Sequence, residues 1–184
     1  MKRFWIVCAT GMLLLAASCK GREKEVTEIN TLEDRIDSIL ASSVPMGPDQ
    51  RSMVDDLFSE YEEFIRNYPE DSMCAYYLFK SALILDYNRE YAKEIEKLDQ
   101  LATKYPESPY APQALVAASK ASMEYMHDKQ AAVHYLQQIK EKYPDSPYAV
   151  NIDLQIQYVG DDDGLLRAIW AQNGNAPDST GAGQ

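Results

Sequence analysis

The sequence lacks the common motifs of enzyme chemistry. No Gly-rich phosphate loop, CxxC pair or HExxH stretch occurs in its 184 residues, so the familiar nucleotide, redox and zinc-protease signatures are missing. Histidine is scarce: His127 and His134 lie seven positions apart, a poor spacing for a shared metal, and read as surface residues. Of three cysteines, Cys8 and Cys19 fall within or at the end of an N-terminal apolar segment, leaving Cys74 alone in the body. No intrachain disulfide is expected there, and stability must come from packing. Cys74 sits among Met73, Ala75 and Tyr76, which suits a packed thiol better than a nucleophile. Basic residues are few, 18 against 29 acidic, for a net charge of −11. Nucleic acid is therefore not an expected partner. An acidic surface favours basic partners or cations at long range, although it is also common in merely soluble proteins. No catalytic residue, metal, cofactor or small-molecule substrate is expected.

Long apolar runs are missing as well. The longest, Phe4 to Ala17, is shorter than the ~20 residues that cross a bilayer as a helix. With Lys2 and Arg3 before it and Ser18-Cys19 after it, residues 1–18 read as a secretory signal. The segment Leu15-Ala16-Ala17-Ser18-Cys19 resembles the lipobox of bacterial lipoproteins, with Ala16 where that pattern usually has Leu. The resemblance implies a lipidated Cys19 as the first mature residue. Lys20 rather than Asp follows it, which in that family favours the outer membrane, on its periplasmic face or at the cell surface. Residues 19–30, crowded with charge, read as a solvated tether.

From residue 31 onward the periodicity is helical. Leu32, Ile36, Ile39 and Leu40 predict a short helix capped by Thr31, broken by the stretch from Ser42 to Pro48. A second helix should run from Pro48 to Asn67. Further helices are expected over about 72–86, 89–104, 109–126, 129–142 and 147–158, joined by connectors short enough to demand antiparallel neighbours. Leu165, Leu166, Ile169 and Trp170 predict a terminal helix, capped by Asp163, whose apolar face would cover the end of the array. Residues 172–184, without apolar period, should form a disordered tail.

The heptapeptide Tyr105-Pro106-Glu107-Ser108-Pro109-Tyr110-Ala111 returns 38 residues later as Tyr143-Pro144-Asp145-Ser146-Pro147-Tyr148-Ala149, and a looser copy begins at Tyr68. A phased repeat of this length, two helices per unit, predicts a solenoid. Each copy should stop one helix with its first proline, cap the next with serine and start it with the second proline. Counting back 12, 8 and 5 positions from Pro144 gives Ala132, Leu136 and Ile139; from Pro106, Glu94, Leu98 and Leu101; from Pro69, Leu57, Tyr61 and Phe64. With the turn and the period, this pattern resembles tetratricopeptide repeats of the subclass seen in outer-membrane assembly lipoproteins and periplasmic cell-division coordinators. It covers about residues 49–160 within a helical domain spanning 31–171. Glu94 departs from the pattern, which has a small residue there.

The resemblance implies an all-α fold, a right-handed superhelical solenoid of antiparallel helix pairs whose first helices line a concave groove. Register from the prolines places Tyr76, Gln113 and Asn151 at one groove position, with Lys80, Ala117 and Gln155 a turn later; Lys120 is a further candidate for the groove. The implied function is a lipid-anchored envelope scaffold holding a protein partner. A permanent structural subunit of an envelope complex and a glycan- or peptidoglycan-binding module are the alternatives.

Overall fold

The computed structural model describes residues 2–41 and 47–173, with the backbone alone for residues 2–20. The fold class is the expected one: all-α, with eight α-helices in consecutive packed pairs and no strand among the described residues. The helices are α1 (Lys2–Ala41), α2 (Pro48–Asn67), α3 (Met73–Tyr87), α4 (Tyr91–Lys104), α5 (Ala111–Glu124), α6 (Lys129–Lys142), α7 (Ile152–Gln157) and α8 (Asp162–Gln172). The chain divides into two compact units, residues 1–84 and 85–184. The expected signal segment, Cys19, the break at 42–46 and the tail from 174 onward lie outside the residues described with side chains.

In the first unit, α1 packs on α2. The buried positions of α2 are Leu57, Tyr61 and Phe64, one helical stripe and the three counted back from Pro69. Their rings meet those of α3: Tyr61 stacks on Tyr77 at 5.1 Å between centroids, and Phe64 meets Tyr77 edge-on at 4.9 Å. Offset and edge geometries suit the ring quadrupoles and add to the burial. The N-cap of α2 is Gly47, whose amide donates to Gln50 Oε1 at 2.9 Å.

The tether and the short capped helix expected at 19–40 are not what forms. Residues 21–41 are the second half of α1, and Thr31, expected as a cap, bonds mid-helix to the Thr27 carbonyl at 2.7 Å. The reason is tertiary. Ile29 and Ile36, seven apart and hence on one face, are buried at 0% and 8% exposure. The flanking charges find partners across the pair. Arg22 grips both oxygens of Asp71 at 2.5 and 3.1 Å, and Glu25 accepts from Tyr68 Oη at 3.2 Å.

The second unit is centred on α5, which packs against both α4 and α6. Its buried positions are small, Ala111, Ala114, Ala118, Ser119, Ala121 and Ser122, with Leu115 the one large side chain among them. Small side chains on two faces let two helices approach one axis closely. Leu98 and Leu101 of α4, and Ala132, Leu136 and Ile139 of α6, fill the space from either side. Ser119 Oγ donates to the Ala132 carbonyl at 3.0 Å and ties α5 to α6.

The three turns at Tyr68, Tyr105 and Tyr143 are one structure repeated. Each tyrosine closes its helix near φ −130°, ψ +54°, with its amide bonded four residues back. Ser108 Oγ accepts from the Tyr110 amide and Ser146 Oγ from the Tyr148 amide; in the looser copy Asp71 accepts from Met73 at 2.9 Å. The helices after the turn start later than expected. The second proline does not open α5 and Ser108 does not cap it: the bond from the Tyr110 amide closes the turn, the N-cap is Tyr110, and the helix begins at Ala111 with Pro112 in its first turn. In the third copy Val150 replaces that proline, and the expected continuous helix over 147–158 splits. A 3-10 turn at Pro147–Ala149 is followed by extended Val150 and by Asn151 at φ 56° before α7 begins. A β-branched valine tolerates the extended backbone well, and asparagine is among the few residues that enter the left-handed region readily. At the chain's end α8 runs through Gln172, and its cap is Asp161, which accepts from the Gly164 amide at 2.9 Å, rather than Asp163.

The connector between α3 and α4 holds Arg89 at φ 61°. A side chain in that conformation costs ~1 kcal/mol or more, which glycine avoids. Arg89→Gly should therefore raise the chemical-denaturation midpoint of the second unit, by about 0.5 kcal/mol after glycine's own entropy loss.

Candidate partner-binding cleft

The first helices of the later pairs present an open cleft in the second unit. Val116, Lys120, Met123 and His127, recurring every three or four residues, bring one side of α5 and its following turn to it. Gln155 and Tyr158 come from α7 and its end, Asp162 and Leu165 from the start of α8, and Leu136 from α6 lies in the lining. The space is about 480 Å³, within the range of ~300–1,000 Å³ typical of ligand pockets. Val116, Met123, Leu136, Val159 and Leu165 give it an apolar lining, and Lys120, Glu124, His127, Gln155 and Asp162 are among its polar groups. Gly160, at φ 81°, lies in the far wall: a Cβ there would stand 2.9 Å from Met123 Cε, so glycine lets the methionine lie across it.

Electrostatics are mixed at the rim. Lys120 Nζ lies 3.9 Å from Glu124 Oε2, an exposed i,i+4 pair worth little to stability. Behind it, Glu94 is 6% exposed, and its Oε2 has no hydrogen-bond partner among the described residues. Burial, with Asp86 adding repulsion and Lys120 partly offsetting it, pushes this carboxyl up to about 7. Glu94 occupies the position where the repeat pattern expects a small residue.

The expected groove residues divide between the two units. Lys120 and Gln155 line the cleft, and Gln155 Nε2 also donates to the Val150 carbonyl at 2.7 Å. Gln113 is half-buried near the start of α5, and Asn151 is the left-handed residue ahead of α7. Tyr76 and Lys80 are engaged inside the first unit by a residue that no motif or periodicity singles out. Glu33 of α1 accepts from Tyr61 Oη at 2.5 Å and Tyr76 Oη at 3.2 Å, with Lys80 Nζ at 3.7 Å. Lys80 also lies 5.7 Å from the Tyr76 ring centroid. Burial, then the bond to Glu33, raises the Tyr61 hydroxyl pKa far above its ordinary value, so Tyr61 serves as a neutral donor. These contacts give Tyr76 and Lys80 a structural duty in holding α1.

Among the described residues no group of three His, Cys, Asp or Glu side chains is placed to hold a metal ion. His127 and His134 are exposed, and Asp161, the first of three consecutive aspartates, is spent on capping α8. Cys74 is buried and donates to the Tyr68 carbonyl at 3.0 Å, at the turn position where the other two copies have Ala111 and Ala149.

Comparison with curated proteins and with solved structures gives no significant match. A family model described as "Tetratricopeptide repeat" matches residues 76–108 and 113–146, so the chain contains two tetratricopeptide repeats.

Proposed function

We propose that this protein is a lipid-anchored scaffold of the bacterial cell envelope that holds a protein partner in the cleft between α5 and the α7–α8 segment. The observation that carries the reading is the cleft itself, apolar within and polar at the rim, formed on helices that include the second repeat match. Repeats of this kind serve as protein-interaction scaffolds and are generally not catalytic. The envelope setting is supported by the N-terminal sequence: a basic start, an apolar run and a lipobox-like segment ending at Cys19, followed by Lys20. The anchor would hold the chain at the outer membrane, on either face, because two acyl chains suffice for stable attachment.

Tyr76 and Lys80 are poor test sites because they fasten α1. Lys120→Glu combined with Gln155→Ala alters the cleft while leaving buried positions untouched. In crosslinking and affinity capture from intact envelopes, the double variant should lose at least tenfold of the specific partner, which corresponds to about 1.4 kcal/mol. Unchanged capture with intact helicity would refute binding at the cleft. Cys19→Ala should move the protein from the membrane to the soluble fraction.

A second reading, a permanent subunit of an envelope complex, is favoured by α8. Leu166 and Trp170, one turn apart, remain 48% and 42% exposed, so α8 leaves part of its apolar surface uncovered. Co-purification that survives high salt and is lost with Trp170→Ala, but not with the cleft variant, would select it.

A further inference from the structure

We propose that the first helix pair rides directly on the lipid bilayer, with the turn Tyr68–Ser72 against the headgroups. The inference depends on the lipidation of Cys19 proposed above, and adds how the folded chain stands on the membrane. A flexible tether over 19–30 would have allowed a reach of ~40 Å. The fold removes that reach. The backbone of α1 is helical through residue 19, so Cys19 stands only ~3 Å along the axis from Gly21.

From Gly21 onward α1 is fixed to the end of α2 and the turn that follows. A Cβ on Gly21 would come 3.2 Å from Tyr68 Oη, so the helix lies close against that ring. Arg22 then binds both oxygens of Asp71, inside the turn, and Glu25 accepts from Tyr68. Buried Ile29 holds the helix down one turn later. An acyl chain on Cys19 therefore brings residues 68–72 to the headgroups, while the rest of α1 leads ~30 Å away from the anchor.

Charge attraction does not create this seating. Arg22 pairs with Asp71, Lys24 with Glu28 and Arg66 with Glu63, while exposed Glu23 and Glu70 add negative charge. The covalent anchor and the packed helix are sufficient, so the seating should occur on zwitterionic vesicles and persist in salt.

The test uses the mature, lipidated chain, verified by the mass of its N-terminal peptide, in phosphatidylcholine vesicles carrying a spin-labelled headgroup quencher. In a Cys74→Ala background, conservative because alanine fills the two equivalent turn positions, a fluorophore is placed at Glu70→Cys or Ser38→Cys, both exposed sites. Quenching should be several-fold stronger at position 70 than at position 38. A ten-residue Gly/Ser insertion between Lys20 and Gly21, with a coil reach of ~17 Å, should bring the signal at 70 down toward that at 38. Equal quenching at the two sites, or an insertion without effect, would overturn the proposal while leaving lipidation standing. An unmodified Cys19 in the mass spectrum would overturn both.

Discussion

Glu94→Ala should make the second unit more stable than the wild type at pH 8 and no more stable at pH 5. The carboxyl is buried in α4, has an oxygen without a hydrogen bond, and faces Asp86 and Lys120. Its pKa rises from 4.5 to about 7 on folding, chiefly by desolvation. The sign follows from proton binding. Between those two values the folded state holds the proton that the unfolded state has released, so wild-type stability falls as pH rises through this window and stays reduced above it. Full expression of the shift corresponds to about 3 kcal/mol, and relaxation of the site brings the expected loss nearer 2 kcal/mol. Glu94→Gln keeps the volume and removes the charge, which separates titration from packing. Both variants should show urea stabilities that change less between pH 5 and 8 than the wild type's. If all three curves ran parallel across that range, Glu94 would not be the titrating group. The alanine loses the contacts of the glutamate stem, which sets the crossing near pH 6, while Ala132 at the equivalent place in α6 shows that the fold accepts a small residue there.

Ile29→Ala should cost the first unit about 2–5 kcal/mol, the usual range for truncating a fully buried isoleucine. A residue in a solvated tether would change stability by no more than ~0.5 kcal/mol. The two descriptions of residues 19–30 thus differ by several-fold in a single measurement. Hydrogen exchange of α2 amides is the direct readout, because loss of Ile29 uncovers the face on which α1 and α2 meet. Protection of α2 should fall by more than tenfold in Ile29→Ala and stay unchanged in Glu28→Ala, a neighbouring exposed site. Unchanged protection in the isoleucine variant would mean that α1 contributes nothing to the unit.

The reach of sequence reasoning follows the range of the interactions involved. Helix ends at Tyr–Pro, the turns that Ser108 and Ser146 close and the apolar stripes of α2, α4 and α6 are local: proline geometry and a 3.6-residue period specify them within a few neighbours. Hence α2 and α6 begin and end where the sequence places them, and the three turns share one hydrogen-bond pattern. The run Gly21–Asn30 was illegible for the opposite reason. Its charges describe a tether when counted alone, and they become helix once Asp71, Tyr68 and Asn67, more than 40 residues away, supply partners. The break at Asn151 is an intermediate case: the exchange of Pro112 for Val150 was visible, but its effect on the backbone was not.

The candidate site divides in the same way. Gln155 was reachable by counting from the prolines, whereas the same count gives Ala117 rather than Lys120 in α5. The role of Glu33 was not, because it comes from three donors on two other helices, and neither was the wall in which Gly160 makes room for Met123. The sequence by itself determined the fold class, the repeat, its phase and its turns, because each is set by short-range backbone chemistry repeated three times. Only the tertiary structure decided that α1 is part of the packed array, that Tyr76 and Lys80 are occupied within the chain, and that Glu94 is buried without a full set of partners. Those outcomes depend on which distant side chains share a low-dielectric contact, and no local period encodes that.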